Sequence, residues 1–231
     1  MKIGILADIH ANLPALESVI RAAQSIKIEK WFVLGDLVGY YYWPLACIEM
    51  LRKLDAEIIA GNHDRMVCDC FDAPELLAHL VEQYGSGHRI AVEQLSNLDA
   101  KWLDMLQSNK NIKIKGKTVH LCHGSPWNPS EYIYPDAPVE IWKNATNLGC
   151  NLIFYGHSHY ANLVEYKEIL IVNPGSVGQP RDRLGGAQWA IWDLDTDNIS
   201  FRREEYDTSV VVERCMENDR QYEYLVKVFG G

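Results

Sequence analysis

Five short polar clusters contain most of the side chains in this sequence that could do chemistry together. In chain order they are Asp8-Ile9-His10, Gly35-Asp36, Gly61-Asn62-His63-Asp64, His123-Gly124 and Gly156-His157-Ser158-His159. Each cluster follows an apolar run with the length of a β-strand. The clusters combine carboxylates, an amide and several imidazoles, which is a ligand set suited to two divalent metal ions. Such a site points to hydrolysis of a phosphate ester.

Taken singly, the clusters differ in how strongly they indicate metal binding. Asp8 and His10 stand two residues apart, so a continuing strand would place both side chains on one face; a helix N-cap beside a surface histidine is the alternative. A Gly-Asp pair such as Gly35-Asp36 is more often a turn. His157 and His159 flank a single serine after a strand, and this spacing favours metal ligation.

The elements that precede the clusters explain why the clusters should meet. The pattern predicts strands and helices in the order β-α-β-α-β over the first 60 residues: Lys2–Ala7, Leu13–Ile26 with Asn12 as its N-cap, Trp31–Leu34, Pro44–Leu54 and Glu57–Ala60. This order implies parallel strands with right-handed crossovers. Parallel sheets collect ligands at the carboxyl ends of their strands, which is where the clusters lie.

The rest of the chain predicts a helical middle and three hairpins. Residues 73–107 have helical spacing, with a break near Ser96-Asn97. The hairpins pair Ile112–Ile114 with Thr118–Cys122, Leu163–Tyr166 with Ile169–Val172, and Gln188–Leu194 with Ile199–Glu204. Val139–Leu148 and residues 208–228 are predicted helices. The late hairpins suggest a second, mostly antiparallel sheet that packs face to face on the first.

Composition limits the classes of partner. The chain has 231 residues, which fits one domain over residues 1–231, and a net charge of −9 that would repel duplex nucleic acid. We expect no membrane span and no signal peptide, and therefore a cytoplasmic protein with a small anionic substrate. The six cysteines show no C-x-x-C spacing, so a zinc knuckle is not expected. The apolar face of the C-terminal helix could pack within the fold or against a second copy in a homodimer.

The ligand types suggest how such a site would work. Oxygen ligands with neutral imidazoles suit manganese, iron, zinc, cobalt or nickel, and Asp36 is the natural carboxylate to bridge two ions ~3.5–4 Å apart. Two such ions would yield a bridging hydroxide near neutral pH for in-line attack on phosphorus. His63 could assist the leaving group, and Asp64 could orient the His63 imidazole.

The five motifs, in this order, resemble those of the calcineurin-like metallophosphoesterases. The stretch from Asn173 to Asp182 is similar to the small single-domain bacterial and archaeal phosphodiesterases of that superfamily. The resemblance implies a four-layer αββα sandwich of two mixed β-sheets flanked by helices. It also implies a metal-dependent phosphoesterase, in particular a phosphodiesterase, with two divalent transition-metal ions, manganese foremost.

The resemblance further implies a role for each matched residue. One metal would be held by Asp8, His10, Asp36 and His159, and the other by Asp36, Asn62, His123 and His157. His63 matches the residue that assists the leaving group, and Asp64 stands where relatives carry Asp or Glu.

Two segments depart from the family pattern and bear on the substrate. The aromatic run Tyr40 to Trp43 could form a stacking wall for a substrate ring, with Tyr41 as a contact, or could pack on itself. Arg181 and Arg183 could bind a phosphate oxygen, or could pair with Asp182.

The main alternative to an enzyme is a protein of the same fold without turnover. The retromer scaffold subunit is an example of a family member that serves as an interaction module, and a regulatory protein that binds metal or nucleotide is a second alternative. The unbroken ligand set favours the enzyme. Outside the clusters, His79 and His88 are expected at the surface or its boundary, and His120 in the core.

Overall fold

Two five-stranded sheets organise the chain in residues 1–230, the range described by this computed structural model. The strands are β1 Lys2–Leu6, β2 Lys30–Val33, β3 Ala56–Ile58, β4 Asn109–Ile114, β5 Lys117–Cys122, β6 Leu152–Phe154, β7 Ala161–Tyr166, β8 Ile169–Pro174, β9 Ala187–Asp193 and β10 Asn198–Glu204. The first sheet has the order β10-β9-β1-β2-β3 and the second has the order β4-β5-β6-β8-β7.

Helices follow the strands much as the spacing of apolar residues predicts. They are α1 Leu13–Ile26, α2 Pro44–Leu51, α3 Asn62–Asp72, α4 Leu76–Tyr84, α5 Gly87–Gln94, α6 Asn97–Asp104, a 3-10 helix Val139–Leu148, α7 Ser209–Asn218 and α8 Tyr224–Lys227. The Asn12 side chain accepts a hydrogen bond from the Ala15 N–H (3.2 Å), which confirms it as the N-cap of α1. The predicted helical middle has an additional break at Gly85-Ser86.

The pairing pattern of the first sheet confirms the parallel β1-β2-β3 arrangement. The three hairpins also form as predicted. The prediction that the last hairpin belongs to the second sheet was wrong. Strand β9 pairs antiparallel with β1, so the hairpin joins the first sheet. The second sheet contains two parallel pairs, β5-β6 and β6-β8, and is mixed rather than mostly antiparallel.

The burial of β9 gives the reason for its central position. Trp189 packs in the core between the first sheet and the helices, whereas Trp192 packs in the core between the two sheets. A strand that is apolar on both faces needs a layer on each side of it, and only a central strand has both.

Three apolar layers hold the sheets and helices together. Both sheets contribute to the middle layer, where the rings of Phe32 and Phe154 lie 6.0 Å apart. The helices α1 and α2 cover the outer face of the first sheet, and the 3-10 helix covers that of the second through Trp142. The fold is therefore the four-layer αββα sandwich that the sequence predicts.

The C-terminal helix packs inside this fold. Leu225 of α8 is fully buried in an apolar cluster with the aromatic residues 40–42. Among residues 1–230, none of the helices is both long enough and apolar enough to span a membrane.

Candidate metal centre

The seven predicted ligands meet at one edge of the two sheets. Each follows a strand directly or within a few residues, and Asn62 begins α3 just after β3. Single ligand atoms of Asp8, His10, Asp36 and His159 lie within 4.8 Å of one another, and so do those of Asp36, His123 and His157. The Asn62 Oδ1 lies 3.1 Å from the His123 Nε2. Asp36 belongs to both groups, as a bridging carboxylate would.

The backbone is strained at this edge. Five of the seven predicted ligands have φ values between 52° and 66°: Asp8, His10, Asp36, His157 and His159. Such a conformation costs non-glycine residues of order 1–3 kcal/mol each and is concentrated at functional sites. The sharp turns direct these side chains to the centre rather than along the strands.

Two glycines let the loops approach closely. An ideal Cβ on Gly35 would lie 2.4 Å from the backbone nitrogen of Gly61, and a Cβ on Gly61 would lie 2.1 Å from the Asp36 Oδ1. No larger residue fits at either position without moving the loop. Close packing between the two loops therefore explains why glycine occupies these positions in the second and third motifs.

Backbone carbonyls fix the orientation of three imidazoles. The Nδ1–H groups of His10, His123 and His159 donate to the carbonyl oxygens of Val38 (3.2 Å), Leu34 (2.6 Å) and Gln179 (2.7 Å). Because a carbonyl only accepts, the proton of each neutral ring is on Nδ1 and the Nε2 lone pair is free for a metal.

The free Nε2 atoms of His10 and His159 face each other. Their separation shows whether a cation could lie between them. The Nε2 atoms of His10 and His159 lie 3.0 Å apart. Two lone pairs at this distance repel each other, whereas two nitrogen ligands of one ion with ~2.1 Å bonds lie about 3.0 Å apart in an octahedral site and about 3.4 Å apart in a tetrahedral one. The Asp36 Oδ2 is also buried and lacks a hydrogen-bond partner among residues 1–230. The donor set therefore fits metal ions.

The electrostatics of the centre indicate a demand for positive charge. Burial acts to raise the pKa of Asp36, but the nearby His123 and His63 imidazoles hold that pKa well below its ordinary value. Burial lowers the pKa of His123, yet the Asp36 carboxylate, 3.2 Å away, raises it to about 9. Burial raises the pKa of Asp8 to about 7. Divalent cations would supply the compensating charge directly.

Comparison with known proteins gives the family. The sequence model described as the calcineurin-like phosphoesterase superfamily domain matches residues 1–197. The chain belongs to this superfamily.

Individual relatives match most of the chain. The protein MJ0912 of Methanocaldococcus jannaschii, whose name states no activity, is 35% identical and the match covers 94% of this chain and 92% of MJ0912. The Escherichia coli K12 phosphodiesterase YfcE is 25% identical over 87% of this chain and 90% of its own. The crystal structure of the hypothetical protein PH1004 of Pyrococcus horikoshii OT3 matches with a TM-score of 0.86 and 24% identity. The match covers 100% of this chain and 98% of PH1004. It shows the same fold.

His63 of this phosphoesterase lies beside the metal centre. Its backbone N–H donates to the Asp36 Oδ1 (2.8 Å), and its ring packs edge-on against that of His10 with centroids 5.0 Å apart. Burial lowers the pKa of His63 to about 3, against a partial rise from the Asp36 carboxylate. The His63 ring therefore lies next to the candidate ligand His10.

The expected contact between Asp64 and the His63 imidazole is wrong. The Asp64 carboxylate accepts backbone hydrogen bonds from Leu37 (2.8 Å), Val38 (3.2 Å) and Gly61 (2.9 Å). Asp64 is the third residue of α3, so its side chain turns back to the loops before the helix, as in a capping box. It fixes the loop that carries Asp36 and does not reach the imidazole.

The partner of the His63 ring is His88, which sequence reasoning placed at the surface or boundary. The His63 Nδ1 lies 2.9 Å from the His88 Nε2, and His88 is fully buried. The only local signal was Gly87 beside it at the start of a helix, since glycine marks close backbone approach. His79 is exposed and His120 is buried, as predicted.

Tyr41 does not face the centre, so the prediction of a substrate contact there is wrong. Its side chain is fully buried, and its hydroxyl donates to the Leu225 carbonyl (3.0 Å). The adjacent Tyr40 has φ 53° and turns the opposite way, with its ring 4.6 Å from that of His10. The aromatic run therefore splits between self-packing and the site.

The two predicted arginines border a cavity next to the centre. The cavity, of about 330 Å³, is lined by Tyr40, Tyr160, Gln179, Arg181, Arg183, Tyr224, Lys227 and Val228. Asp182, the alternative ion-pair partner, pairs with Arg203 instead. Within residues 1–230, neither Arg181 nor Arg183 has a carboxylate within 4.0 Å. Arg181 is half-buried, whereas Arg183 is exposed.

Proposed function

We propose that this phosphoesterase is a dinuclear metal-dependent phosphodiesterase that acts on a small phosphate ester. The observation that carries the proposal is the 3.0 Å approach of the free Nε2 atoms of His10 and His159 beside Asp36, whose Oδ2 lacks a hydrogen bond. Lone pairs held this close repel each other, and a cation bound by both nitrogens would relieve that repulsion. The name of the relative YfcE supports a phosphodiesterase.

Each ion would have its own ligands, with Asp36 shared. One would be held by Asp8, His10, Asp36 and His159, and the other by Asp36, Asn62, His123 and His157. Manganese is the first candidate for both, with iron, nickel, cobalt and zinc as alternatives, since oxygen and imidazole ligands suit all five. When bound, two cations would supply Lewis-acid charge, which favours hydroxide over water near neutral pH and offsets the negative charge of a phosphate ester.

Arg181 is suited to bind a non-bridging phosphate oxygen. Its backbone N–H donates to the His159 carbonyl (3.4 Å), so the side chain starts at the centre, and its guanidinium contacts the Tyr40 hydroxyl (3.4 Å). A half-buried guanidinium without a carboxylate partner is stabilised by an anionic substrate. Arg183 lines the same cavity, which would hold the rest of the substrate.

His63 would act on the leaving group. Its ring borders the ions without being needed as a ligand, and a leaving oxygen is stabilised by a hydrogen bond or a proton. The hydrogen bond from the His63 backbone N–H to the Asp36 Oδ1 would thus link metal binding to leaving-group assistance at the start of α3.

Other features support the setting of this activity. The core between the sheets joins strands from both halves of the chain, which favours one domain over residues 1–231. All six cysteines are free and buried, which suits a reducing compartment such as the cytoplasm. The net charge of −9 disfavours duplex nucleic acid as the substrate.

Replacement of His63 tests the proposal. The manganese-loaded protein should hydrolyse bis(p-nitrophenyl) phosphate with two metal ions per chain by elemental analysis. His63→Ala should lower the rate by roughly 10²–10⁴-fold with the metal content unchanged. His79→Ala, at an exposed position of α4, is the matched control and should be fully active.

Three results would contradict the proposal in different ways. Full activity of His63→Ala would remove the role of His63. Saturable binding of metal or nucleotide without product release would favour a regulatory protein. A wild-type chain that binds no metal would favour a scaffold.

A further inference from the structure

Two buried imidazoles form a hydrogen-bonded pair at the edge of the metal centre. The His63 Nδ1 and the His88 Nε2 are 2.9 Å apart, and the rings stack with centroids 4.9 Å apart and an interplanar angle of 27°. His88 belongs to neither group of predicted metal ligands. The proposed function assigns a role to His63 but none to His88.

A single proton between the two nitrogens permits two arrangements. In the first, His88 carries the proton on Nε2 and donates to His63, whose own proton is then on Nε2. In the second, His63 donates from Nδ1, and its Nε2 is a bare lone pair. The two arrangements give His63 opposite properties, because only the first presents an N–H on the free edge of the ring.

The surroundings of His88 favour the first arrangement. Its Nδ1 is buried and has no hydrogen-bond partner among residues 1–230. The second arrangement would put a proton on that atom and bury an N–H without an acceptor, which is the rarer kind of orphaned polar group. In the first arrangement the same atom is a lone pair.

The surroundings of His63 favour the same arrangement. Its ring borders a centre with two buried carboxylates, Asp8 and Asp36, and the Asp36 Oδ1 is already bonded to the His63 backbone. An anionic phosphate ester would add negative charge there. An N–H on the free edge of His63 is attracted to this charge, whereas a lone pair is repelled.

The start of α5 is held in place, so His88 can impose the arrangement. An ideal Cβ on Gly87 would lie 2.5 Å from the Tyr40 carbonyl carbon, and this close approach seats α5 on the loop beside the centre. The Ser86 backbone and hydroxyl both donate to the buried Asp219 carboxylate (2.8 and 2.6 Å). His88 follows directly on these two anchors.

We propose that His88 is a positioning residue that donates its Nε2–H to His63 and so keeps the His63 proton on Nε2, facing the leaving-group oxygen. The proposal rests on the proposed phosphoesterase function. His63 keeps its proton throughout and stabilises the oxygen by a hydrogen bond. This hydrogen bond contributes more to the rate of hydrolysis when the leaving oxygen is more basic.

Three substitutions separate the two arrangements. His88→Gln places an amide N–H near the position of Nε2 and preserves donation. His88→Glu, in its ionised form, offers only acceptors, and His88→Leu offers neither a donor nor an acceptor. Rates are measured on two diesters, bis(p-nitrophenyl) phosphate and diphenyl phosphate, whose phenoxide is the more basic leaving group. His79→Gln is the control.

We expect His88→Gln to stay within about threefold of the wild type on both diesters. His88→Glu and His88→Leu should lose roughly 10–100-fold on diphenyl phosphate and much less on bis(p-nitrophenyl) phosphate, as a share of the 10²–10⁴-fold that acid–base groups supply. Full activity of His88→Glu with an inactive His88→Gln would overturn the proposal. Equal losses on both diesters in all three variants would also overturn it, by leaving His88 a structural role only.

A spectroscopic measurement tests the same point without turnover. In protein labelled with ¹⁵N-histidine and loaded with zinc, His63 should show a protonated Nε2 and a bare Nδ1, and His88→Glu should reverse this pattern. A bare Nε2 on wild-type His63 would refute the proposal. Failure of the proposed function looks different, since the wild type would then hydrolyse neither diester while the ¹⁵N pattern stayed as expected.

Discussion

Asp36 belongs to both ligand groups of the candidate metal centre. Its carboxylate lies 3.2 Å from the His123 Nε2 and 3.6 Å from the His10 Nε2, which belong to different ligand groups. Its other oxygen holds the start of α3 through the His63 N–H. A neutral amide would keep some of this geometry but would remove the negative charge that the two proposed cations would share.

We therefore predict that Asp36→Asn loses metal as well as activity. Elemental analysis after dialysis should find fewer than two ions per chain, and hydrolysis of bis(p-nitrophenyl) phosphate should fall by at least the roughly 10²–10⁴-fold expected for His63→Ala. Asp55→Asn, at an exposed carboxylate near β3, is the control. Two ions bound to Asp36→Asn would argue against a bridging role.

Among the elements, α5 depends on the C-terminal segment for its position. Asp219, just after α7, is 2% exposed and accepts hydrogen bonds from the Tyr42 hydroxyl (2.8 Å) and from both polar groups of Ser86. One carboxylate thus ties the aromatic loop, the start of α5 and the end of α7 together. Removing it would leave three buried donors without an acceptor.

Asp219→Ala should accordingly lower the free energy of unfolding by about 2–5 kcal/mol, because each unsatisfied buried group costs about 1–3 kcal/mol. Asp219→Asn, which keeps an acceptor oxygen, should lose less. Urea denaturation measures both, with Glu217→Ala as an exposed control on α7. A change below about 0.5 kcal/mol in Asp219→Ala would show that the segment is not held in this way.

On the scale of the whole molecule, the metal centre joins the two sheets. Asp8 and Asp36 follow strands of the first sheet, whereas His123 and His157 follow strands of the second. The backbone N–H of His157 donates to the Asp8 Oδ2 (3.0 Å) across this boundary. Metal binding should therefore stabilise the packing of one sheet on the other, since the candidate ligands from the two sheets come together only in the folded chain.

Removal of metal should lower the melting temperature by roughly 5–10 °C. Saturation at about 100 times the dissociation constant stabilises by ~2.7 kcal/mol, and 1 kcal/mol corresponds to ~2–4 °C in a chain of this size. Calorimetry before and after treatment with EDTA checks this, and added manganese should restore the loss. Asp36→Asn should respond less to EDTA; an unchanged melting temperature in the wild type would refute the prediction.

Much of the fold and the ligand set could be predicted, because both depend on local patterns. Strand and helix periodicity, the Asn12 cap and the turn residues each act over a few neighbours. The ordered clusters also placed all seven ligand candidates at strand ends, where parallel strands bring them together. The sheet that takes β9 and β10 was not predictable in this way, because it depends on which long-range pairing buries both faces of β9.

The sequence by itself determined which side chains could bind metal and that they would meet at one sheet edge. Only the tertiary structure decided the neighbours of those side chains: Asp64 turns to the loop, Tyr40 rather than Tyr41 faces the centre, and His88 pairs with His63 from 25 residues away. The physical reason is that ligand type and strand order are local properties of the chain. Hydrogen-bond partners and side-chain directions depend on how distant elements pack.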